Sequence, residues 1–216
     1  MLLEGIAGKF VQKINGILSL SLTGLTSLRV VQIECEGDEA TRAGIRYQCM
    51  GATGIAPVQA IPTTAAAWLL YNPLGNSVTA FLDMIGVVNI TGVSGAGGTL
   101  YGCIVGPKYV PTAVPTISQA NAQIMNCNPL AARGSNLVLV VSQTLQNVTV
   151  PMWSPIAYMN PNQTVAAQAQ IENRDVRGKH ILTPGSGLAL TVLSPTGTSP
   201  LFAPYITWRE YTADTE

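Results

Sequence analysis

The chain has a single histidine, His180, so a Ser-His-acid nucleophilic site would have to be assembled on that residue. Its serine would sit on a strained elbow of the Gly-x-Ser-x-Gly type. The nearest match, Gly92-Val93-Ser94-Gly95-Ala96, lacks the last glycine and lies in a glycine-rich hairpin. His180, between Lys179 and Ile181 at the end of a loop, reads instead as an imidazole bonded to a backbone carbonyl. Glycoside hydrolysis needs two carboxyl groups facing one cleft. Asp83 is the sole acid between Tyr47 and Ile171, and Glu172 and Asp175 are too close together on one loop to flank a sugar. A carboxylate pair completed across a subunit boundary is the hydrolytic alternative that stays open.

A metal centre of the cupin type takes several histidines and a carboxylate from neighbouring strands, which a single histidine rules out. Cys35, Cys49, Cys103 and Cys127 include no Cys-x-x-Cys pair and so lack zinc-ligand spacing. They read as small buried hydrophobes, with a Cys35–Cys49 disulfide across a hairpin as the alternative. Gly95-Ala96-Gly97-Gly98-Thr99 is followed by a strand and by no Gly-Lys-Ser or Gly-Lys-Thr, unlike a phosphate loop. The expectation is a protein that is not an enzyme, with no catalytic residue, no cofactor and no metal.

Charge is the strongest compositional signal. Between Tyr47 and Ile171 the only charged side chains are Asp83, Lys108 and Arg133. Overall 10% of residues are charged and the formal net charge is zero, against about 25% charged in an ordinary soluble domain. Nucleic acid is therefore not expected as a partner, because phosphate neutralisation needs clustered Lys and Arg. Arg174, Arg177 and Lys179 do cluster, but Glu172 and Asp175 interleave with them, as in a solvated loop. No membrane span is expected either. A spanning helix needs about 20 apolar residues in succession, and the longest apolar runs, such as Leu137-Val138-Leu139-Val140-Val141, stop far short. Disorder is excluded by a hydrophobic content of 47%, enough to bury a core. What remains is a folded chain with an uncharged polar exterior.

The elements that would position these residues are mostly strands. Leu2, Ile6, Phe10 and Ile14 recur every four residues, which places them on one side of a short amphipathic helix. From Leu18 the period switches to two, so residues 1–27 form an N-terminal arm, part helix and part extended. Residues 28–216 read as one β-sandwich domain. Val31, Ile33 and Cys35 alternate with polar neighbours, as do Ile45, Tyr47 and Cys49. The acidic segment Glu36-Gly37-Asp38-Glu39 between them reads as a hairpin turn. Val78, Ala80, Leu82, Met84, Val88 and Ile90 share one face of a long strand, with Gly86 marking a bulge. A short helix is expected around Ile117, Ala120 and Ile124. The run 137–141, apolar on both faces, has the pattern of a central strand. Short strands separated by Gly, Pro and Asn turns, with almost no helix, predict an all-β sandwich with jelly-roll or other Greek-key winding. Trp68 and Trp208 fall on apolar faces and read as core. Trp153, in Pro151-Met152-Trp153-Ser154-Pro155, is the candidate for an exposed ligand contact.

The C-terminal third carries Pro184-Gly185-Ser186-Gly187-Leu188 turning into an apolar strand, then Pro195-Thr196-Gly197-Thr198, then Ile206-Thr207-Trp208-Arg209-Glu210. These segments resemble the closing strands of jelly-roll virion proteins of tailed bacteriophages, of the head-decoration and head-fibre type. The strand Trp68-Leu69-Leu70-Tyr71-Asn72 and the long one after it are similar to earlier strands of such modules. The resemblance implies a non-enzymatic capsid or virion part, often trimeric, and supplies no catalytic residues. It agrees with a physical argument: a neutral surface packs against copies of itself without desolvating unpaired charges. The expectation is a virion structural protein that forms a homo-oligomer, a trimer by the resemblance. It would dock on other capsid proteins through Leu2, Leu3, Ile6, Phe10 and Ile14. Glu4, Lys9 and Lys13 interrupt any signal-peptide core, so synthesis in a host cytoplasm is expected. The competing expectation is a receptor- or carbohydrate-binding sandwich of a phage fibre that meets a host-surface glycan through Trp153.

Overall fold

Extended segments whose faces differ in polarity are stable only when paired and stacked, and this sequence supplies many. The structure, a computed structural model, describes residues 11–14, 17–22, 28–32, 36–51, 54–94, 98–106, 122–145, 153–158, 171–193 and 197–212. Two compact units divide the chain, Met1–Arg42 and Ala43–Glu216. The first contains β1 (Val11–Ile14), β2 (Ile17–Leu22) and β3 (Leu28–Gln32), an antiparallel sheet in that order. A short helix, α1 (Glu36–Arg42), ends it.

The second unit is a sandwich of two antiparallel five-stranded sheets. Its strands are β4 (Arg46–Gly51), β5 (Ala65–Asn72), β6 (Val78–Ser94), β7 (Thr99–Val105) and β8 (Ala122–Asn126). There follow β9 (Val138–Thr144), β10 (Ser154–Tyr158), β11 (Ile171–Leu182), β12 (Ser186–Leu193) and β13 (Gly197–Thr212). One sheet has the order β10-β7-β12-β5-β9, the other β11-β6-β13-β4-β8. At every step except β9 to β10 the chain crosses to the opposite sheet. Among the described residues no two consecutive strands of this unit pair with each other.

That winding overturns several local expectations. The segments around residues 31–35 and 45–49 do not form a hairpin: β3 pairs with β2, and β4 lies between β13 and β8. The acidic segment expected as their turn is instead the start of α1. Glu36, Asp38 and Glu39 lie near its N-terminus and Arg42 in its last turn, an order that opposes the helix dipole favourably. Gly44, at φ +67, lets the chain turn away beyond it. The glycine-rich turn after β6 joins two different sheets and so is no hairpin either. Ile14 stands in strand β1, not on a helix, while Leu2, Leu3, Ile6 and Phe10 lie outside the described residues. Ile124 sits in β8 opposite Cys49, where sheet pairing outweighs its helical spacing.

The long strand β6 also departs from the expected face. Its partners jump from Thr207↔Met84 to Trp208↔Leu82, leaving Asp83 as the extra residue of a bulge. One extra residue reverses which side chains face inward. Val78, Ala80 and Leu82 therefore point into the core before the bulge, and Ile85 and Val87 after it. Met84, Val88 and Ile90 lie on the opposite side of the strand, contrary to the simple alternation, with Val88 buried there and Ile90 exposed, and this bulge lies at Asp83 rather than Gly86.

Between the sheets, Trp68 and Leu70 of β5 meet Leu188 and Leu190 of β12 and, from the other sheet, Leu82, Ile85, Ile206 and Trp208. Trp208 is fully buried and stacks on Tyr47, with ring centroids 6.1 Å apart. Full burial of each such side chain contributes about 1.5–3 kcal/mol. A second buried cluster, with Leu69, Tyr71, Cys103, Val105, Val140 and Ala189, lies on the other face of the first sheet. It explains the two-sided apolar pattern of residues 137–141. That run is not a central strand: β9 is at the edge of its sheet, yet Leu139 joins one cluster and Val140 the other.

Candidate functional site: a cleft at the edge of the sandwich

Strands β10 and β11 are edge strands of the two sheets, and between them the space separating the sheets opens into a cleft of about 500 Å³. Its floor is apolar: Ile85 of β6, Leu188 of β12 and Val176 of β11, all buried. Gly102 occupies an inward position of β7, opposite Leu190. A Cβ there would collide with Ile156 Cδ1, so glycine leaves room for the Ile156 side chain of β10. The next inward position, Ile104 opposite Leu188, is 46% exposed because the cleft opens over it.

The rim comes from an irregular stretch of β11. Asp175 pairs with Met84 and His180 with Leu82, so four residues of β11 stand against the single Asp83. Arg177 (φ 46) and Gly178 (φ 71) are both left-handed, a conformation that costs a non-glycine residue roughly 1–2 kcal/mol. The Asp175 carboxylate holds the turn, accepting from Arg177 N at 3.1 Å and Arg177 Nε at 2.7 Å. The hydrogen bond from Arg177 holds the Asp175 carboxyl below its ordinary value. Val176 drops into the core, while Arg174, Lys179 and His180 line the opening. Arg174 Nη1 reaches across the gap to Ile156 O at 3.4 Å.

On the outer face beneath this turn sits a compact ion cluster. Arg209 donates to Asp83 Oδ1 from Nε at 3.0 Å and from Nη2 at 2.9 Å. Arg46 Nε lies 3.7 Å from Asp83 Oδ2, charge attraction without a hydrogen bond. Arg46 and Arg209 are directly opposite each other on β4 and β13, so Asp83 separates two like charges that the register forces together. Asp83 is thus committed to two arginines and does not face the cleft.

The expected residues are therefore scattered. His180 is exposed at the cleft rim, near Asp175 in the chain but in no triad among the described residues. The side chain of Glu172 lies outside the described residues. The basic group 174–179 is exposed, as a solvated segment would be, and it also frames a cavity, which its interleaved acids concealed in the sequence. Trp153 is half-buried against the second apolar cluster, does not line the cleft, and its indole nitrogen has no hydrogen-bond partner among the described residues. Trp68 and Trp208 are core, as expected. Cys49, Cys103 and Cys127 form no disulfide among the described residues, and Cys35 lies outside the described residues. Burial pushes the Cys49 thiol up to about 12. Among the described residues no three His, Cys, Asp or Glu side chains come together as metal ligands, and no helix is long and apolar enough to cross a membrane.

A second feature is the outer face of the sheet β11-β6-β13-β4-β8. Cross-strand register puts Met125 opposite Gln48, one step along β4 from Met50 on the same face. Met50 is 43% and Met125 45% exposed, and Ile90, Ile181 and Tyr211 join them at the surface. Tyr211 packs edge-on against Phe81, centroids 5.4 Å apart. The charged groups in the middle of this face are Arg46, Asp83 and Arg209, two cations sharing one carboxylate. Compared with protein-family models, curated proteins and solved structures, the chain matches none of them.

Proposed function

We propose that the protein is a non-enzymatic structural component of a virion, a capsid or capsid-decoration subunit that self-associates through a charge-poor sheet face. The observation that carries this reading is the outer face of β11-β6-β13-β4-β8, with exposed Met50, Met125, Ile90, Ile181 and Tyr211 around an ion cluster in which Asp83 bridges Arg46 and Arg209. A second copy is the occupant that fits: burying this face removes apolar area from water at about 25 cal/mol per Å², and both arginines in its middle already lie against the Asp83 carboxylate. The sheet-to-sheet winding supports the jelly-roll form of the sandwich, because interleaved Greek keys place consecutive strands in opposite sheets. The virion assignment draws on the resemblance of the C-terminal strands and on charge depletion; a trimer follows from that resemblance. In this reading the N-terminal segment docks on other capsid proteins through Leu2, Leu3, Ile6, Phe10 and Ile14.

The test is solution mass by sedimentation equilibrium for the parent chain and for Met50→Asp with Met125→Lys, both at exposed positions. An oligomer that the double variant reduces to monomer is the expected result. A parent chain that is monomeric at high micromolar concentration sinks the proposal. A second reading, a receptor- or carbohydrate-binding module, draws on Trp153, which is half-buried and lies outside the cleft lining. It predicts glycan binding that Trp153→Ala abolishes.

A further inference from the structure

The cleft between β10 and β11 combines two properties that do not serve the core. Its walls are apolar and incompletely filled: Gly102 contributes no side chain, and Ile104 points inward yet is 46% exposed. Its rim is cationic. Arg174 and Lys179 line it, and the one carboxylate among its described residues, Asp175, is already held by Arg177 at 2.7 Å. Within a chain of zero net charge, that leaves a local positive excess at the mouth of an apolar space.

From this arrangement we infer that the cleft binds a small amphiphilic anion, its apolar body against Ile85, Ile104, Ile156 and Leu188 and its carboxylate or phosphate head at Arg174 and Lys179. The volume of about 500 Å³ falls within the range of small-molecule sites, which are mostly apolar with a few oriented polar groups. An inorganic anion would leave the walls wet. A polyhydroxylated sugar would place hydroxyls against side chains that cannot hydrogen-bond, at a desolvation cost. Arginine favours planar, bidentate recognition of carboxylate or phosphate, and lysine adds a point charge. The inference is independent of self-association, which uses the opposite face of β6 and β13.

The experiment is calorimetric titration of the full chain with dodecanoate and dodecyl phosphate, each below its micelle concentration. Dodecanol, dodecyltrimethylammonium and inorganic phosphate serve as controls. One saturable site for an anionic amphiphile supports the inference, and the preferred head identifies its source. Arg174→Gln with Lys179→Gln should weaken binding at least tenfold. Ile104→Trp should do the same by filling the cleft with the charges intact, while Arg133→Gln, an exposed cation outside the lining, should leave affinity unchanged. Four results overturn the inference: no saturable binding, equal affinity for dodecanol or the ammonium amphiphile, inorganic phosphate binding as tightly as dodecyl phosphate, or rim variants that bind like the parent. Circular dichroism of each variant separates lost binding from lost fold.

Discussion

Asp83 owes its place to a geometric accident of the sheet. The register sets Arg46 against Arg209 across β4 and β13, and the residue inserted by the β6 bulge is the acid that separates them. Arg209 is 5% exposed, so little water screens the cluster. Asp83→Ala would leave the buried Arg209 guanidinium facing the half-buried one of Arg46. We expect a loss of about 3 kcal/mol, read as a lower urea midpoint at unchanged slope. Glu210 is the converse case, an acid 1% exposed and fully engaged by neutral donors. It accepts from Trp208 Nε1 at 3.0 Å, from Asn136 N at 3.1 Å and Asn136 Nδ2 at 2.9 Å, and from Ser135 Oγ. Cys49 gives a pH signature. Burial raises its thiol from 9.0 to about 12, so folding favours the protonated form. Its stabilising contribution is complete below pH 9 and disappears as pH rises towards 12. Denaturant midpoints should be flat to pH 9 and fall above it, and Cys49→Ala should make that fall shallower. An equally steep fall in the variant would assign the loss to other groups, Tyr47 first, whose hydroxyl burial also raises.

At the scale of elements, two bulges set against each other do most of the shaping. The one at Asp83 reverses the inward face of β6, and the four-residue excursion of β11 opposite it places Lys179 on the cleft rim between the regularly paired Arg174 and His180. Gly178 makes that excursion fit. It has φ 71, and a Cβ on it would lie 3.3 Å from Arg209 Nη2. Gly178→Ala should therefore cost about 1–2 kcal/mol. It should also shift backbone amide resonances of both β11 and β13, because the added methyl presses on the Arg209 guanidinium. A substitution without effect would mean that the turn tolerates a right-handed alternative. The bulge was not legible in the sequence: Asp83 sits in an apolar alternation that reads as continuous until the partner strands fix the register.

For the whole molecule, the decisive property is that strands adjacent in sequence are not adjacent in the sandwich. Each pairing in the second unit closes a long loop before any contact rewards it. Refolding from urea should accordingly be slow, on the order of milliseconds to seconds or longer, when followed by tryptophan fluorescence. Trp68 and Trp208 report directly because both sit between the sheets. A microsecond refolding phase carrying the full amplitude would contradict the topology. The same winding explains why hairpins expected at residues 31–49 and after β6 did not form, since local turn chemistry yields to pairing with distant strands.

Alternation of apolar and polar residues, a property of the chain alone, determined the all-β class, the burial of Trp68 and Trp208 and the poverty of charge on the exterior. Periodicity says which residues share a face but not which strand lies beside them. Only tertiary pairing decided that the acidic segment 36–42 is helical, that β9 is an edge strand, and that Asp83 inverts β6. It also brought together Gly102, Ile104, Arg174 and Lys179. Those four come from strands far apart in sequence, and a cleft is a property of the distance between sheets, which no local pattern encodes.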